Sequence, residues 1–237
     1  MDGDCAAVRG RYAPRAMNSQ QIIDGLISYC ALVILLTFHE YGHAWMAWKC
    51  GDDTAKKQGR LSLNPVVHID PIGTVVIPLL MIFLTASGSG LGRFLVGWAK
   101  PVPVDPGNFK SPNRDDILVS MAGPAMNVLL AVALLFIAKI CFLVGGNYPG
   151  ETFSEMAWLS LMLCFFNLLP IPPLDGSHVL RVLIGMSYET YYRIAQFGFI
   201  IVIVVLQFQP VRQLLGWACA VTYVAISGAL RIAVPSL

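Results

Sequence analysis

The sequence predicts an all-α polytopic membrane protein with about five to six transmembrane helices. A re-entrant or short-strand element is expected after the first of them. Three observations predict this class. Of 237 residues, 56% are hydrophobic and only 13% are charged, where soluble domains carry about 25%. The mean hydropathy is +0.66. The apolar residues also gather into runs long enough for spans of about 20 residues each. No large soluble domain fits between those runs. The formal net charge of +2 gives no reason to expect a nucleic-acid partner. The six cysteines are scattered without a CxxC pair, which argues against both a disulfide framework and a thiolate metal site.

Residues 1–20 read as a polar tail, disordered or on the surface. Residues 21–237 read as a single membrane-embedded domain, with a core at 22–187 and accessory helices at 188–234. The first span, about Ile22–Trp48, lacks proline and stops at Lys49-Cys50-Gly51. It is too long for a signal-peptide core and is expected to be retained. In the polar stretch that follows, Gly59-Arg60-Leu61-Ser62-Leu63 alternates enough for a short strand, and Asn64-Pro65 ends it. Ile72–Ala86 is apolar but short and contains Pro78. The glycine-rich Ser87–Gly92 has no P-loop lysine, so it reads as a flexible connection. Trp98–Pro106 holds three prolines and is not regular helix. Ile117–Val144 is a long apolar helix whose start carries Ala122-Gly123-Pro124-Ala125-Met126-Asn127, small residues that permit close helix contact. A further helix, about Glu151–Leu169, breaks at Pro170-Ile171-Pro172-Pro173. Residues 177–187 suit a short amphipathic helix. Apolar helices at about Tyr188–Phe208 and Val211–Val234 complete the chain.

Near the end of the first span lies His39-Glu40-Tyr41-Gly42-His43. Histidines four apart share one helix face, about 6 Å along the axis. That spacing lets both imidazoles reach one zinc ion, with the intervening Glu placed to act on water activated by it. The other two histidines, His68 and His178, also lie in polar motifs among apolar segments. Ionisable groups at membrane depth are costly and usually functional. A catalytic zinc takes three protein ligands and keeps one open position. The third ligand is sought among Asp175, His178, His68 and Asp70. Asp175 comes first, because the prolines before it unwind the chain and let a carboxylate turn inward. Glu40 is then the general base. Asn127 and Asn167 suit helix–helix hydrogen bonding, a grip on substrate backbone or donation to an oxyanion. Asn64, His68 and Asp70 suit a capped turn, substrate contact or support of the metal ligands.

With these residues in place the chain resembles the site-2 protease family of intramembrane zinc metallopeptidases. The matching motifs are His39-Glu40-x-x-His43, Asn64-Pro65-x-x-His68-Ile69-Asp70-Pro71, Ala122-Gly123-Pro124-x-x-Asn127 and Asn167-Leu-Leu-Pro-x-Pro-Pro-Leu-Asp175-Gly176. They extend over about Phe38–His178. The resemblance implies one zinc ion per chain, held by His39, His43 and Asp175, with Glu40 catalytic. It also implies cleavage of peptide bonds in membrane-spanning segments of other proteins. Members often carry PDZ or CBS domains, and this chain looks like a minimal-core member without them. The competing classes are a catalytically silent scaffold for membrane proteins and a metal transporter. Binding alone has no use for Glu40, and a transporter would need polar residues on both halves of the bundle, of which 188–234 offers few.

A parity argument bears on topology. Both ligand-bearing helices offer their ligands at the C-terminal end, so they must run parallel for one ion to touch both. Region 72–113 is therefore expected to enter and leave by one face. That arrangement puts eleven of the sixteen basic residues on the face nearest the zinc, which the positive-inside rule makes cytosolic. A multi-pass protein of the cell (inner) membrane is expected, with lipid and a membrane-protein substrate as its partners.

Overall fold

The computed structural model describes residues 19–86 and 97–232, and among these it is helical without strands. The elements are α1 (Ser19–Cys50), a short α2 (Thr54–Lys57), a 3₁₀ turn (Pro65–His68), a π-helical turn (Pro71–Val76) running into α3 (Ile77–Ala86), α4 (Pro112–Leu143), α5 (Asn147–Asn167), α6 (Asp175–Leu183), α7 (Tyr188–Ala195), α8 (Gly198–Gln207) and α9 (Gln209–Ala229). The tail before Ser19 and the turn at Ser87–Gly92 lie outside the described residues.

The described residues group into two compact units, 19–33 with 69–86 and 97–100, and 34–68 with 101–232. In the first, Asp70 caps the π turn by accepting from Ile72 N at 3.0 Å and Gly73 N at 2.7 Å. Trp98 N donates to Gly73 O at 3.1 Å, and the Thr74 hydroxyl donates to Trp98 O at 2.7 Å. A Cβ on Gly73 would run into the Trp98 indole, so only glycine lets the ring lie there.

In the second unit, α4 is the spine. Pro112 supplies a pre-set first turn, and the Asp115 carboxylate reaches back to accept from Ser111 N at 2.8 Å, which satisfies the N-cap amide. Ala131 and Leu135 of α4 pack with Ala157 and Leu161 of α5 and with Cys219 and Tyr223 of α9. This fully buried cluster is the centre of the bundle. Ile22–Cys50 and Pro112–Leu143 are each long and apolar enough to cross a membrane, and α7 with α8 makes a third candidate, bent by 64°. The chain is an integral membrane protein.

Two expectations need correction. The alternating Gly59–Leu63 is turn and bend, not strand. Gly59 is left-handed at φ +68, and the Arg60 side chain is drawn inward to donate to the carbonyls of Val67 and Pro101 at 2.5 and 3.0 Å. The single helix expected at Tyr188–Phe208 is two, because Gly198 packs on Pro172 and Pro173 so closely that a Cβ would strike the Pro172 carbonyl. The uniform apolarity of the run hides that break.

Candidate metal centre

His39 and His43 lie one turn apart near the end of α1, both buried. Two glycines let α1 and α4 meet closely. A Cβ on Gly42 would come within 2.8 Å of the Ala122 carbonyl, and one on Gly123 would strike both imidazoles. The rings thus lie over the bare backbone of Gly123, which explains small residues in both motifs better than general closeness does. Three residues of α4 spaced by four, Val119, Gly123 and Asn127, form the stripe beneath them. His43 Nδ1–H donates to the Val119 carbonyl at 2.7 Å, leaving Nε2 with its lone pair. His39 Nδ1 lies 3.1 Å from the Asn127 amide.

Asp175 enters from α6. The chain leaves α5 at Asn167 and passes through a proline-rich turn in which the Pro172–Pro173 bond is cis. It restarts with Asp175 in the first turn of α6. An anion in that position is favoured by the helix dipole. Gly176 is required next, since its Cβ would fall on the Leu168 carbonyl. The carboxylate then faces both imidazoles, Oδ2 at 3.2 Å from His39 Nε2 and Oδ1 at 3.3 Å from His43 Nε2.

These distances can be compared with a zinc site. Tetrahedral bonds of about 2.0–2.1 Å put donor atoms about 3.3–3.4 Å apart. The two Nε2 atoms are 3.0 Å apart, and the carboxylate oxygens stand at the distances just given. Among the described residues, His39, His43 and Asp175 are the group of His, Cys, Asp and Glu side chains that could hold a metal ion. Asp175 Oδ2 is buried and, although close to His39, has no hydrogen-bond partner in good geometry. Two imidazoles and a carboxylate with an oxygen left over fit a zinc ion.

Glu40 is half-buried, and its Oε2 accepts from Val102 N at 3.0 Å. Val102 sits in the extended, proline-flanked strap at 101–105. Asp52 anchors the strap by accepting from Asp105 N at 2.8 Å, and Arg60 does so through Pro101 O. A backbone N–H carries no sequence signal, so the sequence alone does not reveal this partner of Glu40.

The remaining predicted residues do local work. Asn64 accepts from Val66 N at 3.1 Å in an Asx turn. His68 Nε2–H donates to Ser62 O at 2.8 Å. Asp70 caps the π turn, and Asn167 donates to Leu163 O at 2.9 Å on its own helix. His178 places Nδ1 3.1 Å from Asp116 Oδ1. Asp116 also takes Arg181 Nη2 at 2.8 Å and Nε at 3.2 Å. Asp116 and Arg181 are buried and His178 is half-buried; the sequence gives no sign of the trio, because Asp116 and Arg181 are distant in the chain and neither stands in a short pattern.

Comparison with known proteins gives one family. A model of the family described as Peptidase family M50 matches residues 27–152 and 146–206. "Putative zinc metalloprotease YwhC" of Bacillus subtilis is 39% identical over 181 residues, covering 73% of this chain and 76% of that protein. "Putative zinc metalloprotease Rip2" of Mycolicibacterium smegmatis is 32% identical over 193 residues, 76% of this chain and 69% of that protein. "Stage IV sporulation protein FB" of Bacillus subtilis is 28% identical over 153 residues, 64% of this chain and 49% of that protein. No solved structure matches the chain.

Proposed function

Because the chain belongs to peptidase family M50 and is a zinc metallopeptidase, we propose that it is an intramembrane endopeptidase. Its substrates are membrane-spanning segments of other proteins. The observation that carries this reading is the convergence of His39, His43 and Asp175 inside an apolar bundle, with Glu40 on the same turn. In this reading the three side chains hold one zinc ion, and Glu40 is the catalytic residue.

When bound, zinc supplies a Lewis acid that polarises a carbonyl and makes water acidic near neutral pH. The chain's own groups do the rest. Glu40 accepts the proton of the attacking water and passes it to the leaving amine. The Val102 N–H holds one Glu40 oxygen and leaves the other free for that work. Val119 fixes the tautomer of His43. The apolar faces of α1 and α4 keep bulk water from the site, so water enters only where the polar motifs line a path. A substrate helix must unwind there before its carbonyl is accessible.

The single protease domain at 21–237 holds five to six spans in this reading. Besides the three candidates already named, α5 and α9 are 21 residues each, long enough to cross. Their polar Ser154, Ser160 and Ser227 are buried within protein. The π turn with α3 is the re-entrant element, since a ten-residue helix rises only about 15 Å. Exposed Trp45 and Trp48, with Lys49 5.7 and 5.1 Å from their rings, resemble an interfacial belt. His43 lies about 8 Å below Trp48 along α1. The basic loops beside that belt support a cytosolic-side site in the cell membrane.

The test is cleavage of a model transmembrane substrate by the purified protein in liposomes. Wild type should cut, and a zinc chelator should stop it. Glu40→Gln should keep its zinc while cleavage falls by about a hundredfold or more. Undiminished cleavage by Glu40→Gln would remove Glu40 from the mechanism. Undiminished zinc after Asp175→Ala would reject the third ligand.

A further inference from the structure

One buried polar atom on α4 is left without a partner, and it belongs to a residue that touches a metal ligand. Asn127 is fully buried. Its Nδ2 lies 3.1 Å from His39 Nδ1, while its Oδ1 is buried with no hydrogen-bond donor. With Nδ2 donating, Nδ1 of His39 must be the unprotonated nitrogen. The ring proton is then on Nε2, aimed at Asp175 and at His43 Nε2. A nitrogen that carries a proton there has no lone pair for a metal.

A half-turn of the amide exchanges its oxygen and nitrogen in place. Oδ1 then accepts from His39 Nδ1–H, and Nε2 presents its lone pair to the ion. The turn surrenders no hydrogen bond at the other end, because Oδ1 has no donor there. It also gives His39 the arrangement His43 already has, in which Nδ1–H donates to the Val119 carbonyl. Both imidazoles are then oriented by one stripe of α4, eight residues from Val119 to Asn127, with Gly123 between them.

We infer that Asn127 is a positioning residue for the metal: its amide oxygen receives the Nδ1–H of His39 and so turns Nε2 toward zinc. This rests on the zinc site proposed above. The rival role is plain helix–helix bonding. That role needs the amide N–H as much as the oxygen, and it does not reach the metal.

The test uses the full chain in detergent with zinc itself as the probe, its affinity read by competition with a chromogenic chelator. Wild type, Asn127→Asp and Asn127→Ala are compared. Asn127→Asp keeps the acceptor and should stay within about threefold of wild type. Asn127→Ala should lose about 10- to 100-fold, as loss of such an outer partner typically does. In zinc-loaded wild type and Asn127→Asp, the ¹⁵N spectrum of His39 should show a protonated Nδ1 and a ligating Nε2. Asn127→Ala binding zinc like wild type would overturn the inference. So would a tenfold or greater loss in Asn127→Asp, or an unprotonated Nδ1. Should Asn127→Ala fail to fold, Asn127→Asp and the ring spectrum decide alone. A wild type that takes no zinc, by contrast, defeats the zinc site itself.

Discussion

Two polar clusters lie on α4, one at Asp116 and the other along Val119, Gly123 and Asn127, and both reach across to α6. In the first, Asp116 takes both Arg181 Nε and Nη2 and faces His178 Nδ1. Arg181 also donates to Met186 O at 3.1 Å and lies over the Tyr188 ring. That carboxylate is fully engaged. In the second, Asp175 Oδ2 is buried without a hydrogen-bond partner, and three donor atoms, one each from His39, His43 and Asp175, point at one space. Buried polar groups are normally satisfied, so the difference separates two roles. The closed cluster is a latch, and the open one is built to receive something. The two are linked, because Asp175, His178 and Arg181 share one nine-residue helix. The latch sets where Asp175 stands.

The largest effect should come from filling the open cluster. Gly123→Ala puts a methyl where both imidazoles lie. Zinc content should fall to near zero and cleavage with it. Alanine favours helix over glycine by about 1 kcal/mol, so the loss would report on the site and not on helix formation. Gly216→Ala on α9, where a Cβ meets nothing within 4 Å, should leave zinc and cleavage unchanged. Metal analysis of the two purified variants checks both. Full zinc occupancy in Gly123→Ala would mean the rings do not rest on that backbone.

Opening the closed cluster comes next. Asp116→Ala leaves Arg181 buried without its anion, which typically costs about 3–5 kcal/mol. Unfolding in detergent should show that loss, and zinc should bind more weakly because α6 is no longer fixed. Replacing both partners by apolar residues, Asp116→Leu with Arg181→Met, should recover most of the stability. If the double variant is as unstable as the single, the pair is not what holds α6 on α4.

The two clusters were unequally legible in the sequence. His39, Glu40 and His43 were visible because a helix turns a spacing of four into a shared face. Asp175 was visible because prolines before it broke the helix. The latch was not, since Asp116 and Arg181 meet only through tertiary packing. The same cause hid the break at Gly198, which is set by Pro172 and Pro173 rather than by local composition. Alternation at Gly59–Leu63 misled, because a left-handed glycine and an inward arginine curl that backbone. The helical class was plain, as were the two long apolar runs at Ile22–Cys50 and Pro112–Leu143, because apolar length needs no partner to be read.

A third carboxylate tests the idea at lower stakes. Asp52 is fully buried and accepts from Thr54 N and Oγ1, Asp105 N and Asn108 Nδ2. Burial pushes its pKa up, but the hydrogen bonds from Thr54, Asp105 and Asn108 outweigh this and hold it below the usual value. A lowered folded pKa means the unfolded chain binds the proton more readily. The contribution to stability is therefore present above about pH 4 and lost as pH falls through the folded value. Asp52→Asn should cost about 1–3 kcal/mol at neutral pH. Its thermal unfolding should also vary less than wild type between about pH 5 and pH 3. Equal slopes for the two proteins would exclude Asp52 as a source of acid sensitivity.

The smallest effect should come from an ion pair that copies the latch in distance but not in burial. Arg193 Nη2 stands 2.9 Å from Glu189 Oε1 on α7, with side chains 73% and 82% exposed. Arg181 and Asp116 are 2.8 Å apart and 5% exposed each. The Coulomb attraction on α7 is screened, and both ends find water when the pair breaks. Glu189→Ala should change stability by less than about 0.5 kcal/mol and leave zinc affinity alone. Unfolding curves of Glu189→Ala and Asp116→Ala in one detergent would make the contrast direct. Similar losses in both would mean that length of contact, not withdrawal from water, decides what these pairs contribute.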